Sequence, residues 1–237
     1  YNSQIGVPLS VWLLNETTEL GIFEAGISEM GEMEALQSII RPTVGVLTNI
    51  GGAHQENFYS VPDKCMEKLT LFKECDVVIY DGDNELISSC VGKSLFGARE
   101  IAWSKTDNER PLYISSIEKG ETSTTIRYRY LGMPNEYTIP FIDDASIENS
   151  LHCLAVCLYM MLPAEKITER MAHLEPIAMR LEVKEGKNGC VLINDSYNSD
   201  LASLDIALDF MSRRSEDKGR KRTLILSDLL ETGQTPK

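Results

Sequence analysis

The sequence predicts an α/β fold: a mainly parallel sheet flanked by helices, an appended antiparallel hairpin, and a second α/β unit that is only begun. Three observations carry this expectation. Short apolar runs alternate with helix-period segments over roughly the first hundred residues, the stretch 105–142 turns β-branched and aromatic, and a fresh strand, helix, strand series follows the polar KEGKNG. Strands that alternate with helices are joined by crossovers, and such sheets gather their ligands at the carboxyl ends of the strands.

LGIFEAGI (20–27) reads as a buried strand. In EMGEMEALQSII, Met33, Leu36, Ile39 and Ile40 recur at helical spacing until Arg41-Pro42 stops the helix. TVGVLTNI is a second strand run, VPDKCMEKLTLFKE is helical behind Pro62, and DVVIYDGD is a third strand. ISSIEKGETSTTIRYRYLGMPNEYTIPF, with its Gly and Pro-Asn turn signals, predicts the hairpin. IENSLHCLAVCLYMML is a strongly apolar helix, and ITERMAHLE is a shorter amphipathic one ending near Pro176. GCVLINDSYN, SLDIALDFMSRR and RTLILSD then predict strand, helix and strand, so a domain boundary is expected between 1–183 and 184–237. The second part is shorter than a typical domain of about 100 to 150 residues, and the chain opens on YNSQIGVP without a leader. Both ends therefore read as cut from a longer protein.

With 23 basic against 36 acidic residues, the net charge of -13 repels polyanions and argues against general nucleic-acid or anionic-membrane binding. No run approaches the ~18 to 20 apolar residues of a membrane-spanning helix, and the absence of a disulfide-dense cysteine pattern suits a cytoplasmic protein. The six cysteines form no CxxC pair and read as reduced thiols. Cys153 and Cys157, one helical turn apart, read as core packing rather than a metal site.

Chemistry is expected at strand ends, where Glu24 (FEAGIS) and His54 (TNIGGAHQENF) fall. A carboxylate and a neutral imidazole can both ligate a divalent cation, and magnesium bridging nucleotide phosphates commonly takes only one or two protein ligands. On the residues alone two readings stand for each. Glu24 is a ligand or a solvated strand-end acid, and His54 is a ligand or an ordinary loop histidine. His152 and His173 lie in helical patterns and read as structural.

Taken in order, YNSQIGVP, FEAGISEMGEM, VLTNIGGAHQENF, KCMEKLTLF, MRLEV, INDSYNSDLASLDIAL and LILSDLLETG resemble successive motifs of the Mur ligases, over essentially the whole chain. DSYNS and DLLETG resemble most the type that adds D-alanyl-D-alanine to UDP-MurNAc-tripeptide. The resemblance implies a P-loop-like central ATPase domain over 1–183 and the start of a Rossmann-like C-terminal domain over 184–237. It further implies ATP and Mg2+ as cofactors and amide synthesis through an acyl phosphate in cell-wall precursor assembly. Some relatives are fused to an alanine racemase, so pyridoxal phosphate is implied only for a parent carrying that domain.

By the same resemblance Glu24 and His54 are magnesium ligands, and Lys68 is the lysine that many Mur ligases carbamylate beside a second metal. Read without it, Lys68 is an ordinary helix lysine. Asn49 in TNIGGAH and Asn149 in IENSLHCLA match nucleotide-binding positions, the latter reading adenine with its amide. The usual His-Asn ahead of Asn149 is replaced by Ala145-Ser146. Arg180 in MRLEV matches an arginine that reaches the phosphates, and Asp195 in INDSYNS matches an acid on the ribose, with Tyr197 and Asn198 close by. Asp195 also suits a helix cap. The family's phosphate loop, GxxxxGK[ST] or a shortened Gly-Lys-Thr, does not occur in the 237 residues, so this stretch alone is expected to bind ATP feebly and not to ligate. The competing readings are another Mur ligase, a folylpolyglutamate synthase, or a non-catalytic module on the same fold.

Overall fold

A computed structural model describes residues 2–52, 54–94, 97–177, 181–196, 201–215 and 221–226. The chain divides into two compact units, Tyr1–His173 and Leu174–Lys237.

In the first unit a six-stranded sheet runs in chain order through β1 (Val44–Leu47), β2 (Val77–Asp81), β3 (Arg99–Ser104), β4 (Leu112–Lys119), β5 (Thr124–Tyr130) and β6 (Met133–Ile139). The pairs from β1 to β4 are parallel, and those from β4 to β6 are antiparallel. The α/β class is thus as the sequence predicts. Its antiparallel part is a three-strand meander, tied to the parallel part through Trp103 beside Leu112.

Helices cover both faces. Val78 and Tyr80 of β2 point into a core shared with α2 (Glu32–Ile40), α3 (Val61–Thr70) and α4 (Glu85–Ser94). Val77 and Ile79 point the other way, into a core with Trp103, α5 (Asp144–Tyr159) and α6 (Ala164–Met171). The apolar run Val77–Tyr80, buried at every position before β2 ends on Asp81, is what burial on two faces requires. Helix starts follow their capping chemistry. Ser60 accepts from the Asp63 amide with Pro62 in the first turn of α3, and Asp143 accepts from the Ser146 amide at the start of α5. A short helix, α1 (Gly6–Val11), precedes them all.

Three expectations are corrected. LGIFEAGI forms no strand: Ile22 is 84% exposed, and the segment's backbone bond to a neighbouring segment is Gly26 N–H to the Asn2 carbonyl at 2.7 Å. Apolar content suits a strand, but a ladder needs a partner strand, and among the described residues none lies beside it. The described part of RTLILSD, 222–226, lacks regular structure for the same reason, and its last two residues fall outside the described ones. Of the cysteine pair, Cys157 is half-buried and packs against the α5 side of the core as expected, whereas Cys153 is exposed.

In the second unit β7 (Glu182–Glu185) pairs antiparallel with β8 (Val191–Asn194), and α7 spans Leu201–Ser215. β7 comes from the MRLEV segment and was not anticipated.

Candidate functional site

The loop leaving β1 carries Asn49, Gly51, Gly52 and His54. Asn49 is exposed and His54 half-buried. His54 adopts a left-handed backbone, φ 56°, and its carbonyl opens the 3-10 turn Gln55–Asn57 by accepting the Asn57 amide at 3.1 Å. A non-glycine residue in that region costs about 1 to 2 kcal/mol, which the surrounding bonds must offset.

Helix α3 brings two lysines toward this loop. Lys64 is 2% exposed, and its ammonium donates to the Gly51 carbonyl at 2.8 Å while lying 5.6 Å above the Phe58 ring. Burial holds its pKa below the ordinary lysine value, and the positive charge of Lys68 lowers it further against the pull of Glu56. Lys68, one turn on, is half-buried and is likewise held low by burial, with Cys65 and Glu24 opposing. Desolvation favours the neutral amine, the form needed for attack on a carbonyl carbon. Lys64 was missed in the sequence. Only its helical spacing of four from Lys68, one face of one helix, could have pointed to it.

Glu24 is exposed, and its carboxylate accepts from the Asn2 side-chain amide at 2.9 Å. Electrostatic contact therefore runs from Glu24 to Lys68 and from Lys68 to Lys64, and a hydrogen bond continues to the loop of His54. Lys64 thus links two of the residues singled out in the sequence, Lys68 on its own helix and His54 on the loop it bonds, at the carboxyl end of β1. Among the described residues no group of three or more His, Cys, Asp or Glu side chains is gathered into a cage. Two oxygen and nitrogen donors, Glu24 and His54, nonetheless suit a magnesium ion that arrives on phosphates and keeps most of its other ligands.

The other candidates are held by other elements or fall outside the described residues. Asn149 is exposed on α5. Asp195, half-buried at the end of β8, accepts from the Leu181 amide at 3.0 Å within the second unit. Arg180, Tyr197 and Asn198 lie outside the described residues. The tripeptide Gly92-Lys93-Ser94 echoes a phosphate loop but closes helix α4. Its position is helical, not the turn between strand and helix that cradles a phosphate.

Residues 1–157 match the family model of the Mur ligase middle domain. The UDP-N-acetylmuramoyl-tripeptide--D-alanyl-D-alanine ligase of Bacillus subtilis (strain 168) is 31% identical over 98% of this chain and 50% of its own length. Among solved structures, MurF from Acinetobacter baumannii superposes with a TM-score of 0.78 at 19% identity, covering 88% of this chain and 46% of that one. MurF ligase from Thermotoga maritima, in complex with ADP, gives 0.73 at 19% identity over 88% and 48%. The chain spans about half the length of the curated relatives it matches. The structural likeness carries the fold and the sequence match carries the kinship: the chain belongs to the Mur ligase middle domain family.

Proposed function

We propose that these residues form part of an ATP-dependent ligase that joins D-alanyl-D-alanine to UDP-MurNAc-tripeptide through an acyl phosphate, in peptidoglycan precursor synthesis in the cytoplasm. The observation that carries the reading is the 31% identity to the Bacillus subtilis relative across nearly the whole chain. In this reading 1–183 serve as the central ATP-binding domain without its phosphate loop, and 184–237 begin the C-terminal domain. Among the described residues no helix is long and apolar enough to cross a membrane.

Glu24 and His54 would hold Mg2+, which when bound neutralises phosphate charge and polarises the transferring phosphoryl group. Asn49, on the same loop, would orient the phosphates, and Asn149 would offer an amide donor and acceptor to adenine. Arg180 would pair with phosphate oxygens and Asp195 with the ribose hydroxyls. The γ-phosphoryl of ATP goes to the tripeptide carboxylate, ADP leaves, and the amine of D-alanyl-D-alanine then displaces inorganic phosphate. The protein's share is position and charge, which matter most where water is excluded. Burial of Lys68 favours the neutral amine that adds to CO2, forming an N–C bond and releasing a proton, so the side chain becomes an anion beside the metal.

The test offers a protein of the relatives' full length carrying these residues ATP, Mg2+ and UDP-MurNAc-tripeptide, with D-alanyl-D-alanine, meso-diaminopimelate or glutamate as amine. Phosphate release dependent on D-alanyl-D-alanine is expected. Turnover with either other amine in its place would overturn the reading.

A further inference from the structure

The loop bearing Asn49 and His54 is gripped from both faces of the sheet. From the α3 side, Lys64 donates to the Gly51 carbonyl at 2.8 Å. From the α5 side, His152, 3% exposed, stands between Trp103 Nε1 at 3.2 Å and the Thr48 carbonyl at 3.2 Å. The partners dictate the histidine's tautomer. An indole N–H only donates, so Nδ1 must be bare to accept it, and a carbonyl only accepts, so the proton sits on Nε2. Both ring nitrogens are then satisfied only in the neutral form, and burial pushes the His152 pKa down to about 4. The Trp103 indole meets the imidazole edge-on, with centroids 5.4 Å apart and planes at 74°, which locks the ring plane.

Thr48 and Gly51 bracket Asn49, and both are exposed, so solvent is available to replace either bond if the side chain leaves. We propose that His152 and Lys64 are positioning residues, which hold the Thr48 and Gly51 carbonyls from opposite faces of the sheet so that Asn49 and His54 are presented to a metal-bound nucleoside polyphosphate. The inference rests on the phosphate-site reading above and adds residues that reading does not use. It also explains why a left-handed His54 persists: the loop is anchored on either side of Asn49 before the chain makes that turn.

The experiment uses a protein of the relatives' full length carrying these residues, with Mn(II) and ADP at millimolar concentrations. Four variants are compared: His152→Leu, His152→Gln, Lys64→Met and Lys64→Arg. Hydrogen exchange over residues 48–58 and Mn(II) binding by electron paramagnetic resonance are read beside the melting temperature. Loss of a bond to a buried group should raise loop exchange roughly tenfold and weaken Mn(II)·ADP by a similar factor in the Leu and Met variants. Gln and Arg, which keep a donor, should restore most of both, a rescue that a purely packing role would not show. The wild-type side-chain nitrogen spectrum adds a check that needs no variant, since a proton found on Nδ1 of His152 overturns its half of the clamp. Unchanged exchange, or faster exchange with unchanged Mn(II)·ADP affinity, overturns the proposal. A wild-type protein of that length that binds no Mn(II)·ADP while its loop still responds to the variants instead overturns the phosphate-site reading itself.

Discussion

Glu67 offers the sharpest test of how the site's scaffold is held. It sits on α3 beside Lys68, 8% exposed, and one carboxylate oxygen accepts both the Gly31 amide at 2.8 Å and the Met33 amide at 3.2 Å. These are orphan donors at the start of α2, where Gly31 takes a left-handed backbone at φ 89°. Glu67→Ala strands the amide of buried Met33 and that of exposed Gly31, which water can serve in part. Each bond to a charged acceptor contributes about 1.5 to 3 kcal/mol, but one oxygen serves both and the second bond is long, so a total of about 3 kcal/mol is expected. Glu67→Gln keeps an oxygen of the same reach and loses only the charge at the helix start, about 0.5 to 1 kcal/mol. Urea unfolding followed by the fluorescence of Trp103, buried in the same unit, reads both. Equal losses for Ala and Gln would refute hydrogen bonding as the cause, and a loss below about 1 kcal/mol for Ala would refute the whole account.

Other perturbations follow from single contacts. A Cβ on Gly45 of β1 would stand 2.5 Å from the Phe72 ring, so Gly45→Ala should destabilise by about 1 to 3 kcal/mol in the same urea assay, and adding Phe72→Leu should recover part of it. His152 has its folded pKa depressed from 6.5 to about 4, so its contribution is complete above about 6.5 and is lost as pH falls toward about 4. That gap is worth at most about 3 kcal/mol, and urea midpoints of His152→Gln across this window should show a flatter pH dependence than wild type. Lys68, held low by burial, should give a carbamate signal with 13C-bicarbonate that Lys68→Arg abolishes; a spectrum indifferent to the substitution counts against that chemistry.

Much of the candidate site was legible because its residues lie at ends of elements with strong local signals. His54 follows a buried strand and two glycines, and Lys68 lies on a helix announced by Pro62. Glu24 was found by its motif even though the strand expected around it does not form, since motif and ladder are separate facts. Lys64 escaped notice because a lysine on a helix is ordinarily solvated, and only packing reveals that this one is buried against Phe58 and the loop. His152 was read as structural from its helical pattern. Its bonds to Trp103 and Thr48, 49 and 104 residues away in sequence, give it a place beside the loop that no local pattern encodes.

The sequence by itself determined the alternation of strands and helices, the apolar run that begins β2, the helix caps, and the order of motifs that marks the family, since each depends on neighbours within a few residues. The tertiary structure alone decided which apolar runs become strands, how the meander continues the parallel sheet, and which cations are buried. Those outcomes depend on partners far along the chain: a ladder exists only where a second strand lies alongside, and a pKa moves only where distant elements remove water.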